Sequence, residues 1–204
     1  NDPLQPNNYT STPFNEHHII KANLSARIRF GQKYISRPDG KITMGNDDYP
    51  TIFMNYEKAF SATNDSYTYD FLSANASYYK TIGNKGNFGI NLKAGKFFNA
   101  DNISFIDYQH FNGNLTHVNL FNNRFTSFNL LPYYSHSTND AFMELHAEHN
   151  FKGYIMNKIP LLNKLQWNLV AGYHQLNVPT FKPYQEFTIG FDNIGFKKFR
   201  FLRI

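Results

Sequence analysis

Apolar and polar side chains alternate without a break along residues 20–30, IKANLSARIRF. The even positions hold only Ile, Ala, Leu and Phe, whereas the odd positions hold Lys, Asn, Ser and Arg. Because successive side chains of a strand point to opposite faces, this stretch predicts a strand with one apolar wall and one polar, cationic wall. A tilted strand of ~9–11 residues is long enough to cross the hydrocarbon core of a bilayer. We therefore expect a transmembrane strand here.

The same alternation returns along the chain, and turn signals such as RPDGK, SATNDS, GNKGN and STND separate its copies. Pro132 indicates that one of these strands is irregular. Alternating strands without a covering amphipathic helix predict an all-β fold: an antiparallel transmembrane β-barrel segment, with about eight or nine strands of a larger barrel. The further strands are expected at residues 51–60, 69–82, 88–98, 127–136, 141–151, 166–176 and 184–191, and residues 199–204 begin another.

The apolar walls of these strands are expected to face lipid, and the polar walls the barrel interior. Aromatic residues at the two interfaces of a membrane commonly form a girdle, for which Tyr56, Tyr78, Trp167 and Tyr173 are candidates. The residues predicted to face lipid include Ile20, Leu24, Ile28, Leu72, Ile90, Leu92, Leu145, Leu169 and Ile189.

Two segments interrupt the alternation. Residues 99–124 are rich in aromatic residues and Asn and are too long for a tight turn, so we place them outside the cell, where barrels carry their longer loops. They form either a folded plug or cap, the favoured interpretation, or a loop that contacts a ligand. Residues 153–165 are apolar without alternation and contain Pro160, which predicts a short interfacial helix or a tucked loop.

The composition agrees with such a barrel. Aromatic residues make up 18% and hydrophobic residues 41% of the 204 residues, and no run of about 20 apolar residues predicts a membrane-spanning helix. The absence of Cys excludes disulfides and thiolate metal sites. The net charge of +5 is scattered, so nucleic acid is not an expected partner.

Glu144, His146 and Glu148 share an inner wall at alternate positions, and His174 lies on a neighbouring strand. Carboxylates and imidazoles together can bind a divalent metal or act as acid and base. Same-face residues of one strand lie ~6.6–7 Å apart, whereas zinc ligands must converge within ~2.0–2.3 Å of one point. The favoured hypothesis is therefore a lumenal polar network without metal, cofactor or catalytic residue. Its expected cationic members are Arg27, Arg29 and Lys93, with Lys21 as a further possible partner.

Five blocks of sequence resemble an uncharacterised family of Bacteroidota outer-membrane proteins that carry a carboxypeptidase-regulatory-like domain before a large barrel. The most specific block is HNFKGYIMNKIPLLNKLQW at residues 149–167. The others are FNEHH (14–18), RFGQKY (29–34), FMNYEKAF (53–60) and PYQEFTIGFDNI (183–194). The resemblance implies that residues 1–204 are part of one barrel domain and continue at both ends, and it supplies no catalytic residues.

The favoured function is a non-enzymatic protein of the bacterial outer membrane, in transport, outer-membrane protein assembly or scaffolding of a larger envelope complex. Its expected partners are outer-membrane lipid and other outer-membrane or periplasmic proteins. One alternative is a barrel enzyme of the lipase or protease type, and another is a soluble β-sandwich that binds glycans. No GxSxG, HExxH or Walker motif supports an enzyme.

Overall fold

The computed structural model describes residues 18–44, 49–62, 67–113, 126–196 and 199–204. In these ranges the chain is almost entirely β-structure. The elements are β1 Ile19–Arg29, β2 Tyr34–Arg37, β3 Gly40–Thr43, β4 Thr51–Ser61, β5 Tyr69–Thr81, β6 Asn87–Phe98, β7 Ala141–Asn150, α1 Gly153–Met156, β8 Asn168–Asn177, β9 Tyr184–Asp192, β10 Ile194–Phe196 and β11 Phe199–Leu202.

Seven strands form one antiparallel sheet in the order β1-β4-β5-β6-β7-β8-β9. The remaining four form two small hairpins, β2–β3 and β10–β11. The prediction of an all-β antiparallel fold is thus confirmed. Within the described residues β1 and β9 are the two edges and do not pair with each other, so no closed barrel is seen there. Membrane crossing stays a prediction.

Each predicted strand of the main sheet is present with ends shifted by at most two residues, apart from the stretch 127–136. That prediction is wrong. Phe128 and Leu131 are both buried, at a spacing that a strand would place on opposite faces, and residues 133–136 form a turn. The backbone N–H groups of Asn129 and Leu130 bind a carboxylate of β9 instead of a neighbouring strand.

The two faces of the sheet differ as the alternation predicts. On the outward face, Ile20, Leu24 and Ile189 are 68%, 73% and 78% exposed, respectively. On the inner face the middle strands carry polar side chains, and Asn75 and Asn91 bond each other through both amides at 3.0 and 3.2 Å.

One end of the inner face is apolar and covered. The connection between β6 and β7 folds over it and contributes Ala100, Ile103, Phe111, Phe128 and Leu131 to two buried clusters. From the sheet, the clusters take Ala59, Tyr69, Phe97, Phe142 and Leu176. The described part of segment 99–124 thus behaves as the predicted cap, while residues 114–125, with His117, lie outside the described residues.

The remaining interruptions also follow the sequence. Residues 153–165 form α1 and a 3₁₀ turn at Leu162–Leu165, as the prediction of a short helix or tucked loop allowed. Pro38 and Asp39 make the turn of the β2–β3 hairpin, although the hairpin itself was not predicted. No helix among the described residues has the length and apolar character that crossing a membrane requires.

Candidate functional site

The buried polar groups of the described residues concentrate on the inner face of β7, β8 and β9. Pairing places His146 opposite His174 and His174 opposite Glu186, so that one row crosses three strands. Glu144 and Glu148 flank this row on β7, because same-face residues alternate along a strand. Glu144, His146, Glu148, His174 and Glu186 are all at most 6% exposed. We call these five residues the inner cluster.

His146 is the centre of the inner cluster and is fully buried. Its Nδ1 lies 2.7 Å from Nδ1 of His174, and its Nε2 lies 2.8 Å from Oε1 of Glu144. Since a hydrogen bond between two Nδ1 atoms needs one proton, one imidazole donates there and the other accepts. The Phe128 ring lies 4.6 Å from the His146 ring, centroid to centroid, and covers the pair from the cap.

Glu148 forms an ion pair with Arg203, which follows β11. Arg203 directs Nη1 and Nη2 at the two carboxylate oxygens of Glu148, with Nη1 3.1 Å from Oε1. This bidentate geometry is the strong form of an Arg–carboxylate pair. Gly172, opposite Glu148 on β8, keeps the region open, since a Cβ there would lie 2.4 Å from Oγ1 of Thr188 and 3.1 Å from Nε2 of His174.

Glu186 fixes the cap to the sheet. Its Oε1 accepts the backbone N–H of Asn129 at 2.7 Å, and its Oε2 accepts that of Leu130 at 3.1 Å. The Tyr184 hydroxyl also donates to Oε2, at 2.8 Å. The side-chain amide of Asn129 donates to Oε1 as well, at 3.2 Å. Four donors on a buried carboxylate satisfy a group whose desolvation would otherwise be costly.

Of the predicted network, the structure brings together Glu144, His146 and His174, and it places Glu148 beside them with a different cationic partner. Sequence reasoning missed Glu186 and Arg203. Glu186 occupies an inner position of the alternation in residues 184–191, so a signal for it existed. Arg203 follows the β10–β11 hairpin, and no pattern in the sequence indicated that the chain returns to the sheet.

The cations predicted to join the network have other positions or other contacts in the described residues. Arg27 and Arg29 are on β1, four strand spacings from β7, or ~19 Å at ~4.8 Å per strand. Arg27 lies over the Phe53 ring at 5.8 Å. Lys93 faces Glu144 in register, but its Nζ lies 3.4 Å from Oε1 of Gln109. Lys21 binds Asp107 of the cap at 2.7 Å. These contacts show other partners for Arg27, Lys93 and Lys21 in the described part of the chain, and a role of the four cations in the inner cluster stays a prediction.

The residues predicted to face lipid all lie on the outward face of the main sheet. Ile20, Leu24, Ile28, Leu72, Leu92 and Ile189 are exposed, and Ile90, Leu145 and Leu169 are half-buried. Tyr56, Tyr78 and Tyr173 share this face, while Trp167 precedes β8 and lies 5.7 Å from the Phe191 ring. The orientation of the walls is thus as predicted, whereas the contact with lipid stays a prediction.

The inner cluster has carboxylates and imidazoles, the groups that proton transfer would need. No Ser or Thr hydroxyl bonds to His146 or His174 among the contacts of the described residues. Within that part of the chain, no group of three or more His, Asp or Glu side chains is arranged to hold a metal ion. The geometry supports a network that orders the inner face and joins cap, sheet and chain end.

An open antiparallel sheet with one polar, capped face and one exposed apolar face defines the class: an all-β protein with a single large sheet. A comparison with family models gives the particular family. Residues 1–191 match the C-terminal domain of a family of unknown function, DUF5686, and the chain belongs to that family. The comparison with curated proteins found no match, and that with solved structures found none either.

Proposed function

We propose that this chain is part of a non-enzymatic outer-membrane β-barrel in which the outward face of the seven-stranded sheet contacts lipid. The observation that carries the proposal is the continuous apolar wall. Every strand of the sheet contributes aliphatic or aromatic side chains to this wall. Leu24 and Ile189 are 73% and 78% exposed, respectively. An apolar face of this extent is a marker of a membrane or protein contact.

The strand lengths support lipid as the contact. The seven strands run from 9 residues in β9 to 13 in β5, and a membrane strand needs ~9–11 residues. A soluble sheet would need a second layer over the same face. The helix α1 has four residues, and the strands outside the main sheet form hairpins of three or four residues a strand in the described ranges, which is too little to cover it.

The cap on the inner face limits the functions that the barrel can have. Phe111, Phe128 and Leu131 fill the end of the interior beside β7 and β8, and Glu186 fastens the cap there. A wide diffusion pore would need this space free. We therefore favour scaffolding of an envelope complex or assembly of other outer-membrane proteins over general transport, with outer-membrane or periplasmic proteins as partners. The sequence resemblance supports the outer membrane of Bacteroidota as the proposed location.

Membrane fractionation tests the proposal. We expect the protein to sediment with outer membranes, to stay in the pellet after alkaline carbonate, and to enter solution only with detergent, because its apolar wall requires a lipid-like surrounding. Recovery in the supernatant without detergent would contradict the proposal and would favour the glycan-binding sandwich.

The second candidate is a barrel enzyme, and the Glu144–His146–His174 chain of hydrogen bonds is the observation that favours it. In an enzyme, His146→Gln would abolish turnover of an ester or peptide substrate while leaving the fold intact. In the favoured proposal, the wild-type protein shows no such turnover, and the substitution changes stability alone.

A further inference from the structure

The end of the sheet formed by the connections after β5, β7 and β9 carries cations together with exposed apolar groups. Residues 151–167 hold three Lys and neither Asp nor Glu, and the turn at residues 82–86 adds Lys85. Lys152, Lys158 and Lys164 are all exposed. The opposite end has Asp101, Asp107 and Asp140 in its long connection. Residues 151–167 are therefore a cationic connection, whereas the long connection at the opposite end, residues 99–140, has three Asp and one Arg.

The 151–167 segment is firmly attached, yet four of its apolar side chains, Tyr154, Ile159, Leu161 and Leu165, are exposed. Met156 is buried at 4% exposure, and α1 packs against β8. Arg200 donates to the Leu165 carbonyl at 2.6 Å. Leu161, by contrast, is 78% exposed and has a φ of 73°, a conformation that is strained for a bulky residue. A strained backbone that keeps the aliphatic side chain of Leu161 exposed to solvent favours a contact between this side chain and another molecule.

An open groove of about 490 Å³ lies between α1 and the 82–86 turn. Asn84, Gly153, Tyr154, Asn157 and Lys158 line it. Lys158 holds its ammonium 4.1 Å from the centre of the Tyr154 ring. The amides of Asn84 and Asn157 and the ammonium of Lys158 offer hydrogen-bond donors. Gly153 leaves room for the Asn157 amide, because a Cβ added at Gly153 would lie 2.2 Å from Nδ2 of Asn157. Asp192, at the end of β9, is an acidic residue at this same end of the sheet. Its carboxylate accepts hydrogen bonds from the Asn150 side-chain amide and from the Asn193 backbone N–H.

We propose that this groove and its rim bind the phosphate headgroup of an anionic phospholipid in the leaflet next to this end of the sheet. Lys158 and Lys164 supply charge, the groove amides bind phosphate oxygens, and Leu161 enters the acyl boundary. Cations beside exposed aliphatic and aromatic groups are the pattern that protein segments use at an anionic membrane surface. This inference rests on the proposed membrane location and adds a lipid preference and a site.

The test reconstitutes the whole chain in vesicles of phosphatidylcholine and phosphatidylglycerol in equal parts. After mild detergent extraction, mass spectrometry measures the lipid that stays bound. The wild-type protein is expected to retain phosphatidylglycerol in excess. Each lysine near a membrane surface contributes roughly a fivefold preference, so a Lys158→Gln, Lys164→Gln double variant should lose most of that excess. The matched control, Lys182→Gln, removes an exposed lysine at the opposite end and should retain it.

Trp167 provides a second measurement, because it is the one Trp in the chain and ends the same segment. Bromine atoms near the headgroup should quench its fluorescence more strongly than bromine atoms at the acyl-chain ends. A reconstituted protein with no phosphatidylglycerol excess, or with an excess lost equally in Lys182→Gln, would overturn the inference. The same holds if bromine near the headgroup fails to quench Trp167. A protein that does not enter vesicles at all would overturn the proposed membrane function instead.

Discussion

Single residues decide how the cap meets the sheet. Glu186 is the clearest case, because one side chain receives two consecutive backbone N–H groups of the cap. The acidic residues of β7 were predictable from their regular spacing. Their partners were not, since Arg203 and the backbone of Asn129 and Leu130 come from irregular segments whose paths no hydrophobic pattern records.

Glu186→Gln should loosen the cap without unfolding the sheet. The amide side chain offers one acceptor oxygen in place of two, and its NH₂ group would face the N–H donors of Asn129 or Leu130. Hydrogen exchange of these two amides is expected to rise by roughly tenfold or more, as a loss of about 1.5–3 kcal/mol from a charged hydrogen bond implies. Gln185→Ala, on the outward face of the same strand, is the control and should leave the exchange unchanged. If the amides of Asn129 and Leu130 exchange as slowly in Glu186→Gln as in the wild-type protein, apolar packing alone holds the cap.

His146→Ala should destabilise the protein, because it leaves Glu144 and His174 buried without their shared partner. Each unsatisfied buried group costs roughly 1–3 kcal/mol, which denaturant unfolding in detergent would measure. His149→Ala changes the next histidine of β7, on the other face, where a single bond to the Lys85 carbonyl is lost, and should cost less than about 1 kcal/mol. Equal losses for the two variants would contradict the assignment of His146 as the centre of the inner cluster.

At the scale of elements, the alternation predicted the strands well, since a two-residue period is a local property of sequence. It failed at residues 127–136, where aromatic and aliphatic residues are frequent but their burial follows from packing of the cap onto Phe142 and Leu176. The tight steric fit between strands is likewise a tertiary effect. A Cβ on Gly95 of β6 would lie 2.6 Å from Cε1 of Phe142 on β7.

Arginine substitutions in β1 measure the difference between its two walls. Leu24→Arg should destabilise the reconstituted protein by roughly 2–4 kcal/mol if position 24 lies near the bilayer midplane. Ser25→Arg, one residue further along the same strand, places the charge on the polar wall with Arg27 and should cost far less. Folding titrations in lipid vesicles measure both variants. Equal costs would contradict the assignment of the walls.

At the scale of the whole molecule, local pattern predicted an all-β antiparallel sheet, and it also predicted which residues share a face. It did not predict the open sheet edges of the described residues or the return of the chain end, where Ile204 exchanges two backbone hydrogen bonds with Phe191 of β9. Such pairings join residues distant in sequence and depend on the order of the strands. For the whole sheet we propose that the outward face meets lipid and that the inner face meets water or protein.

Spin-label accessibility along β1 tests this claim most directly, because the chain has no Cys and each label position can be introduced singly. Cys would replace each residue from Ile20 to Ile28 in turn in the reconstituted protein. Labels at the even positions are expected to collide with oxygen, which concentrates in lipid, and to be shielded from a water-soluble nickel reagent. Labels at the odd positions should lack this preference for oxygen, which gives a period of two. Equal access of the nickel reagent to Leu24 and Ser25 would contradict a lipid-facing wall.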